Sequence, residues 1–421
     1  MSNDTNEQPT ATDWRATLLL IFSLTLALMA FTAALAILTI TLLSREELIA
    51  MDLSPLSSLL LASTLAALGA LWLPMGYYSV RRLRGQPTAV LVFPPLRLWA
   101  WLLLPLLWMI AIVLASLLYE APGTLIYTPL LHFLTIALPI YLAVRVAASR
   151  ISPGSHLRAW GVLGSSMFIG PMLAITLELA LVIVIVIAAA LLTGVLNPNA
   201  LNAAQRLVDR MNAAPNLDSL LTSLAPVIRH PLTLVAALIF LSGFVPFIEE
   251  SAKSCSVWMM SGRLSSLAQG FALGVISGAG FALVEGLATV VSPDEVWGTA
   301  FVARAFSSLM HILAAGLTGL GIAYARLQRR YLRFAGLFAL SILVHGIWNA
   351  GAVLAALGSL RTALVSSEMD LPGALLMLVG IFILFVMVTL MVSSLFVLNV
   401  RLRKLEDLSL PTSPSAQGEP Q

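Results

Sequence analysis

"FVPFIEESAKSC", Phe244 to Cys255, sets Glu249, Glu250 and Lys253 within little more than one helical turn, inside the apolar run Leu232–Met260. On insertion scales a charged group at the centre of a membrane helix costs about 2.5–3.5 kcal/mol, so such groups face a bundle interior or a wet cavity. This stretch therefore reads as one wall of a polar interior. The fold it requires is an all-α, polytopic transmembrane bundle.

The composition agrees. Of 421 residues, 59% are hydrophobic and 10% charged, where a soluble domain carries about a quarter charged. Mean hydropathy is +0.96. The net charge of +3 is distributed as flanks of apolar runs, a pattern for a lipid bilayer and not for nucleic acid. Cys255 is the single cysteine, so no intrachain disulfide forms, and it reads as a small apolar filler.

A span needs about 20 mostly apolar residues. Ten segments qualify: Thr17–Leu43, Pro55–Tyr78, Leu98–Tyr119, Leu125–Val144, Met167–Thr193, Leu232–Met260, Leu267–Val291, Thr299–Ala325, Phe334–Leu357 and Pro372–Val400. None alternates with period 2, which excludes a β-barrel. Residues 1–16 form a polar tail, and the run after it exceeds the roughly 7–15 residues of a signal-peptide core, so it reads as a retained span. The Lys/Arg bias puts 17 of 23 basic residues on one side, which predicts that both termini are cytoplasmic. The expected organisation is a five-span region over 17–193 and an extracytoplasmic amphipathic segment over 194–230. A four-span catalytic core (231–357), a final span (358–400) and a disordered cytoplasmic tail (401–421, ending "PTSPSAQGEPQ") follow.

The intramembrane polar residues concentrate in four consecutive spans. Glu249 and Lys253, four apart, share a face and can pair; Glu250 points a third of a turn away and is left free. Pro246 removes one backbone donor just before them. The next span carries Glu285 in "GFALVEG", beside a small-residue stripe of Gly270, Gly274, Gly278, Ala282 and Gly286 that permits close helix approach. The one after carries Arg304 and His311 on one face, with Ser307 and Ser308 between; the ninth carries His345 and Asn349 in "HGIWN". His132 and Glu178, in earlier spans, read as structural or of weak function.

Carboxylates and imidazoles in a protected cavity suit water activation. A glutamate can take a proton from water, histidines can stabilise an oxyanion or hold a metal, and two histidines with a carboxylate suffice for a catalytic Zn2+. The donors considered for it are His311, His345 and Glu285. There is no "HExxH", and Ser307 with His311 lacks an Asp in these spans.

"EESAK", "GFALVEG", "RAFSSLMH" and "HGIWN", in that order on four consecutive spans, resemble the motifs of the PrsW family of intramembrane proteases. That family is itself distantly similar to the CAAX prenyl endopeptidase group, with its EExxxR, FxxxH and HxxxN. The resemblance covers roughly Leu232–Leu357. It implies an endopeptidase that cuts membrane-anchored regulatory proteins, such as anti-sigma factors, in the bacterial cytoplasmic membrane. Glu249 and Glu250 match the paired glutamates and Lys253 the lysine of the first motif. Phe281 and Glu285 match the second motif, His311 the third and His345 the fourth. A glutamate of the first pair would activate water, and the two histidines would stabilise the transition state or bind metal. Arg304 and Asn349 would support them. Asn349 stands where PrsW proteins usually have Asp, and Gly286 where Asn often follows; an amide cannot act as a base, so Asn349 is expected to position or to serve an oxyanion.

By helix rise, His311 and His345 fall near mid-membrane, Glu285 toward the outer side, and Glu249 and Glu250 at the middle or slightly inward; helix tilt, or a kink at Gly243/Pro246, would bring the groups together. Two other classes fit the same residues. A proton- or ion-coupled carrier would use them as a relay, and a catalytically silent relative would bind membrane partners.

Overall fold

The computed structural model describes residues 13–44, 54–196, 198–214, 217–291, 297–364 and 370–409; the Pro/Ser-rich end of the expected tail lies outside them. The elements run α1 (Trp14–Leu43), α2 (Pro55–Leu83), β1 (Val90–Leu91), α3 (Leu98–Leu118), α4 (Thr124–Ala148), β2 (Gly154–Ser155), α5 (His156–Ser166) and α6 (Ile169–Leu196). Then come α7 (Pro198–Asn212), α8 (Leu217–Ile228), α9 (Pro231–Ile239), a π-helical turn (Phe240–Phe244), α10 (Val245–Met260), α11 (Leu267–Thr289), α12 (Trp297–Gln328), α13 (Tyr331–Ala363) and α14 (Leu371–Ser409). Among the described residues ten helical stretches are long and apolar enough to cross a membrane, matching the ten spans read from sequence. The amphipathic connection expected over 194–230 contains α7 and α8. The last helix continues past Val400 to Ser409, because no breaker occurs before Pro411.

Helix starts follow local chemistry. Asp13, Ser54, Ser155 and Ser266 each accept a backbone N–H of the first turn, satisfying a donor the helix cannot. Pro55 and Pro231 begin their helices, where a missing N–H costs nothing.

The chain divides into two compact units, and it passes between them inside α6, α10, α13 and α14. The first comprises Met1–Ile169, Lys253–Phe338 and Met391–Gln421. Its centre is the α11–α12 pair, whose most apolar windows are both 89% buried. Glycines make this possible. A Cβ on Gly274 would strike the Ala315 carbonyl, and one on Gly278 the His311 carbonyl. The predicted stripe is thus a backbone-to-backbone seam over Gly270, Gly274 and Gly278, while Gly286 faces Ile136 of α4. α1 packs on α2, where the Ser23 hydroxyl donates to the Trp72 carbonyl at 2.7 Å. The Trp72 indole in turn donates to Gly164 of α5 at 2.9 Å. β1 and β2 pair antiparallel, Val90 with Ser155 and Leu91 with Gly154, and tie two connections at one end. His132 lies buried among Trp297 and Phe301, a core position as expected.

The second unit comprises Gly170–Ala252 and Ala339–Leu390. α13 and α14 meet through Gly351, Gly358, Gly373 and Gly380, each facing the other helix at contact distance. Arg361 pairs with Asp370 at 3.2 Å across their connection.

Candidate active site

In the second unit the site begins with Pro246. It has no N–H to return to the carbonyl four residues earlier, and its ring crowds that position. The backbone relieves this by widening into the π turn Phe240–Phe244, where the Val245 N–H reaches back five residues to the Phe240 carbonyl. π turns expose carbonyls and recur at functional sites. Here the exposed groups receive α13. The Asn349 amide donates to the Leu241 carbonyl at 2.7 Å. Gly346 lies so close to the Ser242 carbonyl that no side chain fits there. Two residues of "HGIWN" therefore clasp the turn. The kink expected at Gly243/Pro246 takes this form, and Asn349 has a positioning contact.

That clasp sets the imidazole. His345 and Glu250 are 2% and 0% exposed, and His345 Nδ1 lies 2.9 Å from Glu250 Oε1. A carboxylate only accepts, so Nδ1–H donates, and Nε2 presents its lone pair. Glu249 Oε2 stands 3.8 Å from Nε2, too far for a hydrogen bond. It is close to the spacing of two ligands on one tetrahedral ion, about 3.3 Å for bonds of about 2.0 Å. The donor types and this spacing fit a divalent cation. The sequence reading left Glu250 without a partner. The structure corrects this: neighbours on one helix point about 100° apart, and the second direction meets α13.

In the first unit the seam sets the register. Gly278 meets the His311 backbone, and α11 and α12 run antiparallel, so seven residues onward Glu285 is level with Arg304. Helical side chains lean toward their own N-terminus, which brings Glu285 back to His311. Glu285 Oε1 binds Arg304 Nη1 and Oε2 binds His311 Nε2, each at 2.6 Å. The separation by depth expected from helix rise is thus removed for this pair. The hydroxyls of Ser307 and Ser308 cap the Arg304 carbonyl at 3.1 and 2.7 Å. On the other ring nitrogen, Lys253 Nζ lies 2.7 Å from His311 Nδ1; an ammonium only donates, so Nδ1 accepts. The same ammonium sits 4.2 Å from the centroid of Phe281, a cation–π contact. Phe281 also packs on His311 at 5.2 Å between centroids. Ser277, unremarked in the sequence reading, donates to the Lys253 carbonyl at 2.9 Å.

Each unit thus holds one carboxylate–imidazole pair, Glu250–His345 and Glu285–His311. Both contribute residues to α10, where Glu249 and Glu250 precede Lys253. The carbonyls of the π turn were legible only as an indirect signal, through Pro246.

A family model described as PrsW family intramembrane metalloprotease matches residues 172–391, just over half of the chain, and every residue of both pairs falls within the match. No curated protein and no solved structure matches the chain.

Proposed function

The chain belongs to the PrsW family of intramembrane metalloproteases, and from that premise we propose that it hydrolyses peptide bonds of membrane-anchored proteins within the bilayer. Regulatory factors of the anti-sigma type are the substrates proposed, and the bacterial cytoplasmic membrane, with both termini cytoplasmic, is the proposed location. The observation that carries the reading is the buried Glu250–His345 bond, with Glu249 facing the other ring nitrogen.

Glu250 fixes the tautomer and rotation of His345, as carboxylates do behind metal-bound imidazoles. Glu285 does the same for His311, and Arg304 keeps Glu285 in place. Glu249 is assigned the reacting water. Its two oxygens let it serve both as a donor to an ion and as acceptor of the water's proton. We assign the ion to Glu249 and His345, with Zn2+ as the candidate. His230, the third histidine within 172–391, caps α9 instead. Glu285, considered from sequence, is committed to Arg304 and His311. When bound, such an ion supplies a Lewis acid for the scissile carbonyl and lowers the pKa of bound water. Both ring nitrogens of His311, also considered from sequence, are engaged within the first unit by Lys253 and Glu285. Asn349 and Gly346 act through His345 by holding α13 on the π turn.

The test compares N-termini of membrane proteins from cells carrying wild type, Glu249→Gln and His345→Ala. New N-termini confined to wild type are expected and would name the substrate. Identical profiles, with all three proteins equally abundant, would overturn the protease reading and leave the carrier and silent-relative classes.

A further inference from the structure

The first unit has a concavity of about 290 Å³ at the start of α1, where the start of α5 and the end of α10 converge. None of its residues belongs to the site above. Arg15, Arg158 and Arg263 stand on its rim, and Trp14, Leu18 and Met259 form its apolar wall. Asp13 is the one acid among the lining residues. It is already committed, accepting from the Ala16 N–H and from Arg82 Nε at 3.1 Å. Burial pushes the Asp13 carboxyl up, yet the Arg82 hydrogen bond and the charges of Arg82 and Arg263 hold it below its usual value. Asp13 is thus an anion offset by Arg82, and the three rim guanidiniums give the concavity a net positive charge.

The apolar wall points to the other half of the ligand. Trp14, Leu18 and Met259 are 61%, 55% and 58% exposed. They occupy the first two turns of the membrane-length α1 and the last turn of α10, near the end of the candidate span Pro231–Arg263. Indole rings belong at the headgroup level, and below Leu18 the surface of α1 continues as span. The same end of this unit carries Arg82 at the C-terminus of α2 and Arg326, which reaches Gly262.

We propose that this concavity binds one anionic phospholipid, its phosphate between Arg15, Arg158 and Arg263 and an acyl chain along Trp14, Leu18 and Met259. Charge complementarity selects the anion, since guanidinium forks match phosphate oxygens. The exposed apolar wall selects a lipid over a free phosphate, which would leave that wall uncovered. The lipid would tie α1, α5 and α10 together at the membrane surface.

The experiment is native mass spectrometry of the full-length protein purified in detergent, titrated with dioleoylphosphatidylglycerol and, separately, dioleoylphosphatidylcholine. Selective retention of one phosphatidylglycerol is expected. Removing two basic groups near a lipid surface, in Arg158→Gln/Arg263→Gln, should weaken it about thirtyfold, while Arg158→Lys/Arg263→Lys retains most of it. If the double variant is not monodisperse, Arg263→Gln alone, on an exposed turn, should weaken retention about fivefold. Equal retention of the two lipids, or unchanged retention in the Gln variants, would overturn the proposal. So would displacement of the lipid by millimolar inorganic phosphate or by an oligoglutamate peptide, which would mark an anion site or a docking site for an acidic segment.

Discussion

Replacing Glu250 by Gln changes one oxygen into an amide and leaves the shape intact. The bond lost is 2.9 Å long, between His345 Nδ1 and a carboxylate that is 0% exposed. Hydrogen bonds to charged groups contribute about 1.5–3 kcal/mol, a factor of roughly ten to a hundred or slightly more. Loss of an outer carboxylate behind a metal-bound histidine costs about 10–100-fold in metal affinity or activity, so two independent routes agree. Gln also brings a donor: should its amide turn toward Nδ1, the ring proton moves to Nε2 and the lone pair facing Glu249 disappears. The assay reconstitutes the protein in liposomes with a single-span substrate and follows cleavage, with zinc affinity measured in parallel by competition with a chromogenic chelator. Glu250→Gln should bind zinc about 10–100-fold more weakly and regain part of its turnover when zinc is raised. Glu249→Gln removes the proton acceptor as well as an anionic ligand, so it should lose about 10²–10⁴-fold that saturating zinc does not restore. Unchanged zinc affinity in a folded Glu250→Gln protein would refute the orienting role, and recovery of wild-type turnover by Glu249→Gln at saturating zinc would refute the base.

Four further outcomes follow from the geometry. Gly278→Ala forces a Cβ against the His311 carbonyl; overpacking of this kind costs about 1–3 kcal/mol, so a lower thermal midpoint in detergent is expected along with lost cleavage. Asn349→Leu strips the Leu241 carbonyl of its donor, at about 1–3 kcal/mol, and should reduce turnover with less effect on KM, as measured with the liposome substrate. Arg304→Met removes a partner of Glu285 and should lower turnover while leaving the zinc affinity of the Glu249–His345 pair within a fewfold; a complete loss of zinc binding would contradict the assignment. Asp13→Asn tests a surface linkage: the Asp13 carboxyl is held below its usual value of 3.8 in the folded protein, so its stabilising effect is present above that value and is lost as pH falls through the folded pKa. Wild type should therefore unfold at a higher temperature than the variant near neutral pH, and the difference should close on acidification below pH 3.8.

How far the sequence reads can be judged on individual helices. Length and hydropathy located all ten spans, because a run of about 20 apolar residues has few alternatives. Hydropathy does not say which spans are inside. The windows of α11 and α12 score 1.7 and 1.5 and are 89% buried, while the window ending in α6 scores 2.9 with none of it buried. The order is inverted because close helix packing selects Gly, Ala and Ser, which score low, whereas lipid accepts any bulky aliphatic surface. The stripe of Gly270, Gly274 and Gly278 was the legible sign of this. The site residues were legible for a related reason: an ionisable group in an apolar run has few purposes. Their partners were not. Spacing along α10 gives the direction of Glu250 but not that a helix some ninety residues later stands there. Pro246 announces a break without specifying a π turn, since a kink would relieve the same clash. What selects the turn is α13, where an amide at 349 and a missing side chain at 346 fit the carbonyls that a π turn exposes. "HGIWN" is therefore one device, in which the glycine and the asparagine place the helix so that the histidine meets Glu250. Asn fits this work better than the Asp usual in the family, because an ionised Asp cannot donate to a carbonyl. Asn349→Asp should accordingly perturb the turn more than Asn349→Gln, whose amide keeps the donor. Hydrogen exchange at the π-turn amides would read the difference, and equal protection in the two variants would mean that the clasp rests on Gly346 alone.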